Sequence, residues 1–311
     1  MNLVLANRDY HNHMTDEGEQ LQVGLQRAGW LLAGAGYTDG TKDVPQLLER
    51  HQPERVFVQD CRDWRADSRG CFDKSISFDR WERLAKFPAQ RFTVCKDAGT
   101  VSEYQQAFAE TIQASAIVVY YHPQSVRKLS PWLKDYRLIR TFHSVDRHLC
   151  DAIDCRAVRQ RALVSGAAGN VYPLRQLAIA NASNLKITHH RHPGYGNRGC
   201  ATPEYLKLLA GFRVHVACAS AYGFALRKII ESVAMGAIPV TDLPAADVLP
   251  QIDGALFRVK PGATKTDLAD AIDEANRAWV LEERLEWARL AREWYDFRAI
   301  GWRLSEEMCR G

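Results

Sequence analysis

The chain alternates short apolar runs with longer stretches in which apolar positions recur every three or four residues. The short runs have the length and β-branched content of strands, and the longer stretches have the period of amphipathic helices. Such alternation is typical of an α/β protein with parallel sheets covered by helices. The predicted strands are Leu3–Ala6, Arg55–Gln59, Arg91–Cys95, Ala116–Tyr121 and Arg137–Thr141 in the first half, and Ala162–Val164, Leu185–Thr188, Arg213–Cys218, Ala237–Thr241 and Ala255–Val259 in the second.

Five strands in each half predict two Rossmann-like domains of about 150 residues each. The polar stretch near Cys150–Gln160 marks the boundary, so we expect domains at 1–155 and 156–311. The last fifty residues have helical periodicity, and their aromatic side chains predict apolar faces that pack on the rest of the protein, in part on the first domain. The helices predicted in the first half are Glu17–Ala28, Val44–His51, Phe78–Phe87, Val101–Gln113 and Pro123–Lys134.

Composition narrows the class of protein. The chain has 311 residues, of which 46% are hydrophobic and 25% charged, so a large buried core is feasible. No apolar window is long enough to span a membrane, and the N-terminus turns polar too early for a signal peptide, which predicts a cytoplasmic protein. The eight cysteines lack C-x-x-C pairs and are expected to be free thiols. A net charge of +4 is compatible with a polyanionic ligand.

The segment Phe212–Asp242 is read as strand, glycine turn, helix and strand. Apolar residues at helical spacing, Leu226, Ile229, Ile230, Val233 and Ala234, are expected to face the sheet and to leave Arg227, Lys228 and Glu231 on the open side. Two cations at a helix N-terminus oppose the helix dipole unless an anion compensates them. A diphosphate would supply that anion.

A second segment, Ala162–Arg175, repeats the arrangement. A strand runs into a glycine-rich loop with Ser165 and Gly166, Pro173 suits the first helical position, and Arg175 brings another cation. Loops at the carboxyl edge of one parallel sheet line one crevice, so the two segments together predict a nucleotide-diphosphate site. The spacing differs from Gly-x-Gly-x-x-Gly and no Walker lysine follows, which disfavours an NAD fold or a P-loop ATPase. Ordinary β–α turns with surface cations remain the alternative.

The stretch Tyr222–Leu226, followed by Glu231–Val240, resembles the donor-site helix of GT-B glycosyltransferases. The resemblance implies two Rossmann-like domains that face each other across a cleft. It also implies that Glu231 binds the ribose hydroxyls, and that Tyr222, Gly223 and Phe224 lie against the sugar and its phosphates. The loop at Ser165 and Gly166 with Arg175 resembles the first loop of the GT-B C-terminal domain, which cradles the diphosphate.

In the first half, Ile139–Asp146 resembles the Thr-x-His motif of retaining GT-B enzymes, in which the histidine touches the donor sugar. This resemblance assigns His143 to the site. In its size, its charge and the segments Thr141–Asp146, Tyr172–Arg175 and Leu226–Asp242, the chain also resembles, more weakly, bacteriophage glycosyltransferases that modify hydroxymethylated bases in DNA. That resemblance implies a DNA acceptor and, for a phage protein, a location in the host cytoplasm.

Three further segments carry candidate chemistry. His190 and His192 could share a metal, but a zinc site needs three or four ligands, so we interpret His192 and Gly194 as part of a loop that meets the nucleotide. His13 and Asp60 follow predicted strands and could each deprotonate an acceptor hydroxyl, although loop hydrogen bonding explains them equally well. The arginines and tryptophan of Asp60–Gly70 could contact DNA or form a solvated loop.

These observations predict a metal-independent and cofactor-independent glycosyltransferase whose co-substrate is a nucleotide-diphosphate sugar, specifically a UDP-sugar. Arg175, Arg227 and Lys228 would stabilise the departing diphosphate. A hydroxymethylated pyrimidine in DNA is the expected acceptor. The alternatives are a glycan or small-molecule acceptor, a nucleotide-sugar epimerase, and a binding module without catalysis. Retaining and inverting chemistry both stay open, as does the oligomeric state.

Overall fold

The computed structural model describes residues 1–5, 17–34, 44–58, 79–95, 98, 102–156, 160–166, 168–191 and 201–310. The chain divides into two compact units. The first contains Met1–Phe142 and Arg298–Gly311, and the second contains His143–Phe297. Residues 143–155, which the strand count placed in the first half, thus group with the second unit.

The described residues of the first unit form a six-stranded parallel sheet in the order β2-β1-β3-β4-β5-β6. Its elements are β1 (Asn2–Leu5), α1 (Glu17–Arg27), β2 (Leu31–Ala33), α2 (Val44–His51), β3 (Arg55–Val58), α3 (Asp79–Lys86), β4 (Gln90–Cys95), α4 (Ser102–Thr111), β5 (Ala116–Val119), α5 (Pro123–Leu129) and β6 (Arg137–Arg140). The five predicted strands are confirmed within one or two residues. The strand β2 was not predicted, because three residues are too few to show a period.

The core of the first unit lies between its sheet and its helices. Alternate residues of β1 and β3, such as Leu3 and Val56, are fully buried there. Trp81 of α3 meets Phe108 of α4 edge to face, with ring centroids 5.2 Å apart. These contacts explain why α3 forms although its sequence is mostly polar: its two large apolar residues, Trp81 and Leu84, are both buried in the core.

The described residues of the second unit form a five-stranded parallel sheet in the order β11-β10-β9-β7-β8. All five strands predicted here are confirmed, with shifted ends. The elements are α6 (Arg147–Asp151), β7 (Gln160–Ser165), α7 (Pro173–Ala180), β8 (Ile187–His190), α8 (Ala201–Ala210), β9 (Phe212–Val216), α9 (Arg227–Ala234), β10 (Ile238–Thr241), β11 (Phe257–Arg258), α10 (Lys265–Arg277) and α11 (Leu281–Trp294).

The last helix, α12 (Phe297–Cys309), groups with the first unit over most of its length. Gly301 of α12 lies so close to the backbone of Gly24 in α1 that no side chain would fit at this position. Trp30 donates a hydrogen bond from Nε1 to Ser305 Oγ at 2.8 Å. A close helix contact and a buried indole therefore attach the end of the chain to α1.

The structure also bears on two expectations from composition. No helix within the described ranges is both long enough and apolar enough to cross a membrane. The cysteines in those ranges are free thiols: Cys95, Cys150, Cys155, Cys218 and Cys309.

Candidate functional site

The strand order of the second unit reverses between β7 and β9, which are neighbours in the sheet although β8 lies between them in sequence. Open α/β sheets bind ligands outside the carboxyl ends of their strands at such a reversal. The two glycine-containing segments singled out in the sequence follow these two strands, and they lead into α7 and α9. Topology thus brings both segments to one edge of one sheet.

The loop after β7 is shaped by Gly166 and Arg175. Gly166 has a φ of +107°, and a Cβ there would lie 3.1 Å from a terminal nitrogen of the Arg175 guanidinium. The backbone conformation favours glycine, and a Cβ there would also force the guanidinium to shift by a few tenths of an ångström. The guanidinium also stacks on the ring of Tyr172, 4.1 Å from its centroid, and Arg175 is buried. These contacts fix the position of the guanidinium of Arg175, which belongs to the first turn of α7.

The helix α9 begins with Arg227 and Lys228, and Leu226 at its cap position provides no side-chain hydrogen bond to the first turn. Arg227 Nε lies 2.9 Å from Glu231 Oε1 in an ion pair in which both side chains are almost buried. Lys228 is half-buried, and its Nζ lies 4.1 Å from the centroid of the Tyr205 ring. The pKa of Lys228 is lowered to about 8, mainly by burial; Glu231 opposes the shift, and Arg175 contributes to it.

The expectation that Arg227, Lys228 and Glu231 lie on an open helix face is wrong for two of them. The apolar residues of α9 are buried as predicted, but Glu231 is only 6% exposed and Arg227 is almost buried as well. The reason is that α11 packs along α9 and covers the side away from the sheet. Arg227 and Lys228 both have intermediate exposure, but the Arg227 side chain is only 11% exposed.

The charges that converge at this edge, among the described residues, are mostly positive. Arg175, Arg227 and Lys228 are balanced by Glu231 and by Asp242, which accepts a hydrogen bond from the Ala219 amide at 2.7 Å. Burial raises the pKa of Asp242, which weakens its contribution as an anion. Two helix N-termini add further positive potential. The arrangement can bind a polyanion such as a diphosphate.

The turn between β9 and α9 places the predicted sugar-contacting residues beside these charges. Gly223 has a φ of +70°, and a Cβ there would lie 3.0 Å from the Pro244 ring, so glycine is required. Phe224 is buried, whereas Tyr222 is 44% exposed although its ring lies only 5.8 Å from that of Phe224. Tyr222 therefore offers an aromatic surface next to α9.

His143 lies between β6 and α6 and is buried, with 7% exposed. The other predicted residues, His13, Asp60, His192 and Gly194, fall outside the described residues. Of the histidine segment, His189 Nε2 lies 3.3 Å from the Gly166 carbonyl, and burial lowers the pKa of His190. Within the described ranges no three potential metal ligands come together.

Sequence reasoning missed several polar residues below the site. Ser165 Oγ lies 2.8 Å from the Tyr205 hydroxyl and 3.0 Å from His215 Nε2, and His215 Nδ1 lies 2.6 Å from Ser232 Oγ. The only signal for His215 was a histidine between two valines of a strand, Phe212–Val216, at a position expected to be buried. Ser165, expected to bind phosphate, directs its buried hydroxyl toward these neighbours.

Comparisons with known proteins support the fold. No family model matches the sequence, and no curated protein sequence matches it. Solved structures match over nearly the whole chain. A glycosyltransferase from Rickettsia africae ESF-5 is 11% identical with a TM-score of 0.57, covering 99% of this chain and 97% of that one. The similarity identifies the GT-B fold, with two Rossmann-like domains.

Two other matches are similar in extent. HepE from Anabaena, solved with UDP and glucose, is 11% identical with a TM-score of 0.56 and 99% coverage of both chains. Sucrose-phosphate synthase from Thermosynechococcus elongatus is 13% identical with a TM-score of 0.57, covering 100% of this chain and 98% of that one.

Proposed function

We propose that this protein is a glycosyltransferase that binds a UDP-sugar in its second unit, at the carboxyl ends of β7 and β9. The observation that carries the proposal is the convergence of Arg175, Arg227 and Lys228 on the first turns of α7 and α9. Their net positive charge is partly buried, and such charge needs an anion. HepE was solved with UDP and glucose, which supports a UDP-sugar as that anion.

The reaction breaks the bond between the anomeric carbon of the sugar and the diphosphate oxygen, and it forms a bond from that carbon to an acceptor hydroxyl oxygen. The diphosphate leaves with the bonding electrons. Arg175, Lys228 and the first-turn amides of α9 stabilise its charge, so no metal ion is required. Glu231 accepts hydrogen bonds from the ribose, and Tyr222 to Phe224 line the sugar.

The acceptor proton must pass to a base. Asp60 and His13 are our candidates, because each follows a predicted or observed strand of the first unit and a carboxylate or imidazole suits the role. We assign His143 to contact with the donor sugar. Replacement of the true base should lower kcat strongly and leave KM for the donor nearly unchanged.

As the acceptor we propose a hydroxymethylated pyrimidine in DNA. The support is the net charge of +4, the arginines of Asp60–Gly70, and Arg127 and Lys128 at the exposed end of α5. Each cation that neutralises a phosphate releases about one counterion, so duplex binding should weaken steeply with salt. The base would be extruded to reach an enclosed donor.

The test is a thermal-shift screen across nucleotide-sugars, followed by product analysis. A UDP-sugar should raise Tm, because a ligand of the folded state stabilises it by mass action. The stabilising donor is then incubated with duplexes that contain cytosine, thymine, 5-hydroxymethylcytosine or 5-hydroxymethyluracil, and with glycans and small alcohols. A sugar-sized mass gain on a hydroxymethyl nucleoside alone supports the full proposal.

The other outcomes separate the alternatives. Transfer to a glycan or small alcohol, with every duplex unmodified, refutes the DNA acceptor and keeps the glycosyltransferase. Conversion of the donor to a different nucleotide-sugar without any acceptor indicates an epimerase. Stabilisation without turnover indicates a binding module, and the absence of any shift with all nucleotide-sugars refutes the proposed site.

A further inference from the structure

Tyr205 of α8 lies directly below Lys228. The lysine Nζ is 4.1 Å from the centroid of the tyrosine ring, a distance at which an ammonium is attracted to the negative face of an aromatic ring. The other cations of the site repel the same ammonium, since Arg175 and Arg227 both lower the pKa of Lys228. The Tyr205 ring therefore adds to the attraction by Glu231, and together they hold the ammonium beside the two arginines.

A chain of hydrogen bonds begins at the hydroxyl of the same tyrosine, and its direction can be derived from its far end. The Ser232 hydroxyl donates to the Lys228 carbonyl, which can only accept. Ser232 Oγ must then accept from His215 Nδ1, 2.6 Å away. Burial, with contributions from Lys228 and Arg175, lowers the pKa of His215 far below its ordinary value, so the ring is neutral and carries its single proton on Nδ1.

The remaining bonds follow from that tautomer. His215 Nε2 has no proton and accepts from the Ser165 hydroxyl at 3.0 Å. Ser165 Oγ in turn accepts from the Tyr205 hydroxyl at 2.8 Å, and burial raises the pKa of Tyr205, so this hydroxyl keeps its proton. Each group in the chain thus donates its proton to the next one, in the order α8, β7, β9 and α9.

The chain of hydrogen bonds ends at the same lysine that the Tyr205 ring contacts. The ring of Tyr205 contacts the ammonium of Lys228, and the hydrogen bonds that start at the Tyr205 hydroxyl end at the main-chain carbonyl of Lys228. We propose that Tyr205 and His215 are positioning residues that hold both ends of Lys228, so that its charge is presented to the diphosphate of the donor. This inference rests on the proposed function, because it takes the diphosphate as the partner of Lys228.

Lysine needs such support more than arginine does. Its flexible four-carbon side chain loses rotamer entropy when it is ordered, and it ends in a point charge without a preferred plane. Without the ring, Glu231 would remain to attract the ammonium against repulsion by Arg175 and Arg227, and the side chain would keep its position less firmly. Binding of the diphosphate would then have to order the side chain, and affinity would fall accordingly.

The test measures UDP and uridine binding by calorimetry for the wild type, Tyr205→Phe, Tyr205→Leu and Lys228→Met. Tyr205→Leu removes the ring and the hydroxyl and should weaken UDP binding about 10-fold. Tyr205→Phe keeps the ring and removes only the hydrogen bond to Ser165, so we expect a loss of about 3-fold. Uridine has no phosphate, and its affinity should stay within about 2-fold in every variant. Exposed Lys186, before β8 at the opposite edge of the sheet, provides the control Lys186→Met.

A double-mutant cycle separates positioning from a general structural role. In the Lys228→Met background, Tyr205→Leu should cause no further loss of UDP affinity, because Tyr205 acts through the missing ammonium. An equal loss for UDP and uridine, or the same loss of UDP affinity in both backgrounds, would overturn the inference.

A ligand-free measurement covers the case in which the wild type does not bind UDP. Nitrogen-15 NMR should show His215 neutral with the proton on Nδ1, and a slowly exchanging Lys228 ammonium below pH 8 that Tyr205→Leu abolishes. These signals without UDP binding would refute the proposed function alone. A fast-exchanging wild-type ammonium, or a His215 proton on Nε2, would refute the positioning role.

Discussion

Gly166 lies against the guanidinium of Arg175 at the end of β7, so the residue type at one position affects the side chain at the other. The guanidinium of Arg175 lies where a Cβ at residue 166 would crowd it, and the loop has a positive φ at residue 166, which glycine adopts without strain. A second glycine of the loop, Gly169, has no positive φ and no atom within 4 Å of a built Cβ. Gly166 and Gly169 therefore allow a matched comparison of two glycine substitutions within one loop.

Gly166→Ala should therefore lower the free energy of unfolding by about 1–3 kcal/mol through strain at its positive φ. It should also weaken UDP binding, because the new methyl group displaces the Arg175 guanidinium. Denaturant unfolding and UDP titration check both effects. Gly169→Ala should change neither, and equal effects of the two substitutions would show that the approach of Arg175 to Gly166 has no role in binding.

Glu231 has two partners in this account, Arg227 in the folded protein and the ribose in the complex. Glu231→Gln removes the carboxylate charge and leaves Arg227 nearly buried without full compensation. We expect a loss of about 1–3 kcal/mol in the free energy of unfolding and a similar loss in UDP-sugar affinity. If affinity is unchanged while stability falls, Glu231 serves only the ion pair and has no contact with the donor.

The lowered pKa of Lys228 gives a prediction with opposite signs for stability and for binding. Between about pH 8 and its ordinary value of 10.5, the unfolded chain holds a proton that the folded chain has released. The contribution of Lys228 to stability therefore rises with pH through this window. UDP affinity should fall over the same window, because a neutral amine does not attract the diphosphate. Lys228→Met should remove both trends, and parallel pH curves for wild type and variant would contradict the assignment.

The residues that sequence analysis found are those whose role is local. A glycine before a helix and a cation in its first turn, such as Gly166 with Arg175, can be recognised within one strand–loop–helix segment. Tyr205 and His215 could not be recognised in this way, because their partner Ser165 lies 40 and 50 positions away in the sequence. Only the strand order brings them together.

At the scale of elements, α9 shows where periodicity stops being informative. Its apolar stripe predicted the side that faces the sheet, and that prediction is confirmed. The opposite side carries charged residues, yet α11 covers it, and Arg292 of α11 donates to the Ala234 carbonyl at the end of α9 at 2.8 Å. A polar stripe indicates solvent only when no later helix packs on it, and the sequence of α9 alone does not contain that information.

Whether Arg292 anchors α11 to α9 can be tested by comparing it with Arg289 of the same helix. Arg292 also contacts Asp151 at 3.2 Å and Cys155 Sγ at 2.9 Å, whereas Arg289 makes exposed ion pairs with Glu286 and Glu293. Arg292→Met should lower the free energy of unfolding by about 2–3 kcal/mol, because several partly buried acceptors lose their donor. Arg289→Met should leave it unchanged within error. Similar losses for both would mean that Arg292 does not anchor α9.

At the scale of the whole molecule, the alternation of strands and helices sufficed to predict two Rossmann-like units and nearly every strand. The aromatic faces of the last fifty residues predicted packing in part on the first domain, and α12 does group with the first unit, but the pattern did not reveal the contact in which Gly301 lies against Gly24. A contact between two glycines at opposite ends of the chain leaves no apolar signal in either helix. The strand count also could not show that His143, adjacent to β6 in sequence, groups with the second unit.

The central claim is that one diphosphate site is formed by the first turns of α7 and α9. Calorimetric titration of UDP into the wild type, Arg175→Ala, Lys228→Ala and the double variant tests it most directly. We predict that each single change weakens UDP binding about 10-fold or more. The double change should weaken it by less than the product of the two, because both cations address one anion. Wild-type protein that does not bind UDP, or single variants that bind it as tightly as the wild type, would contradict the account.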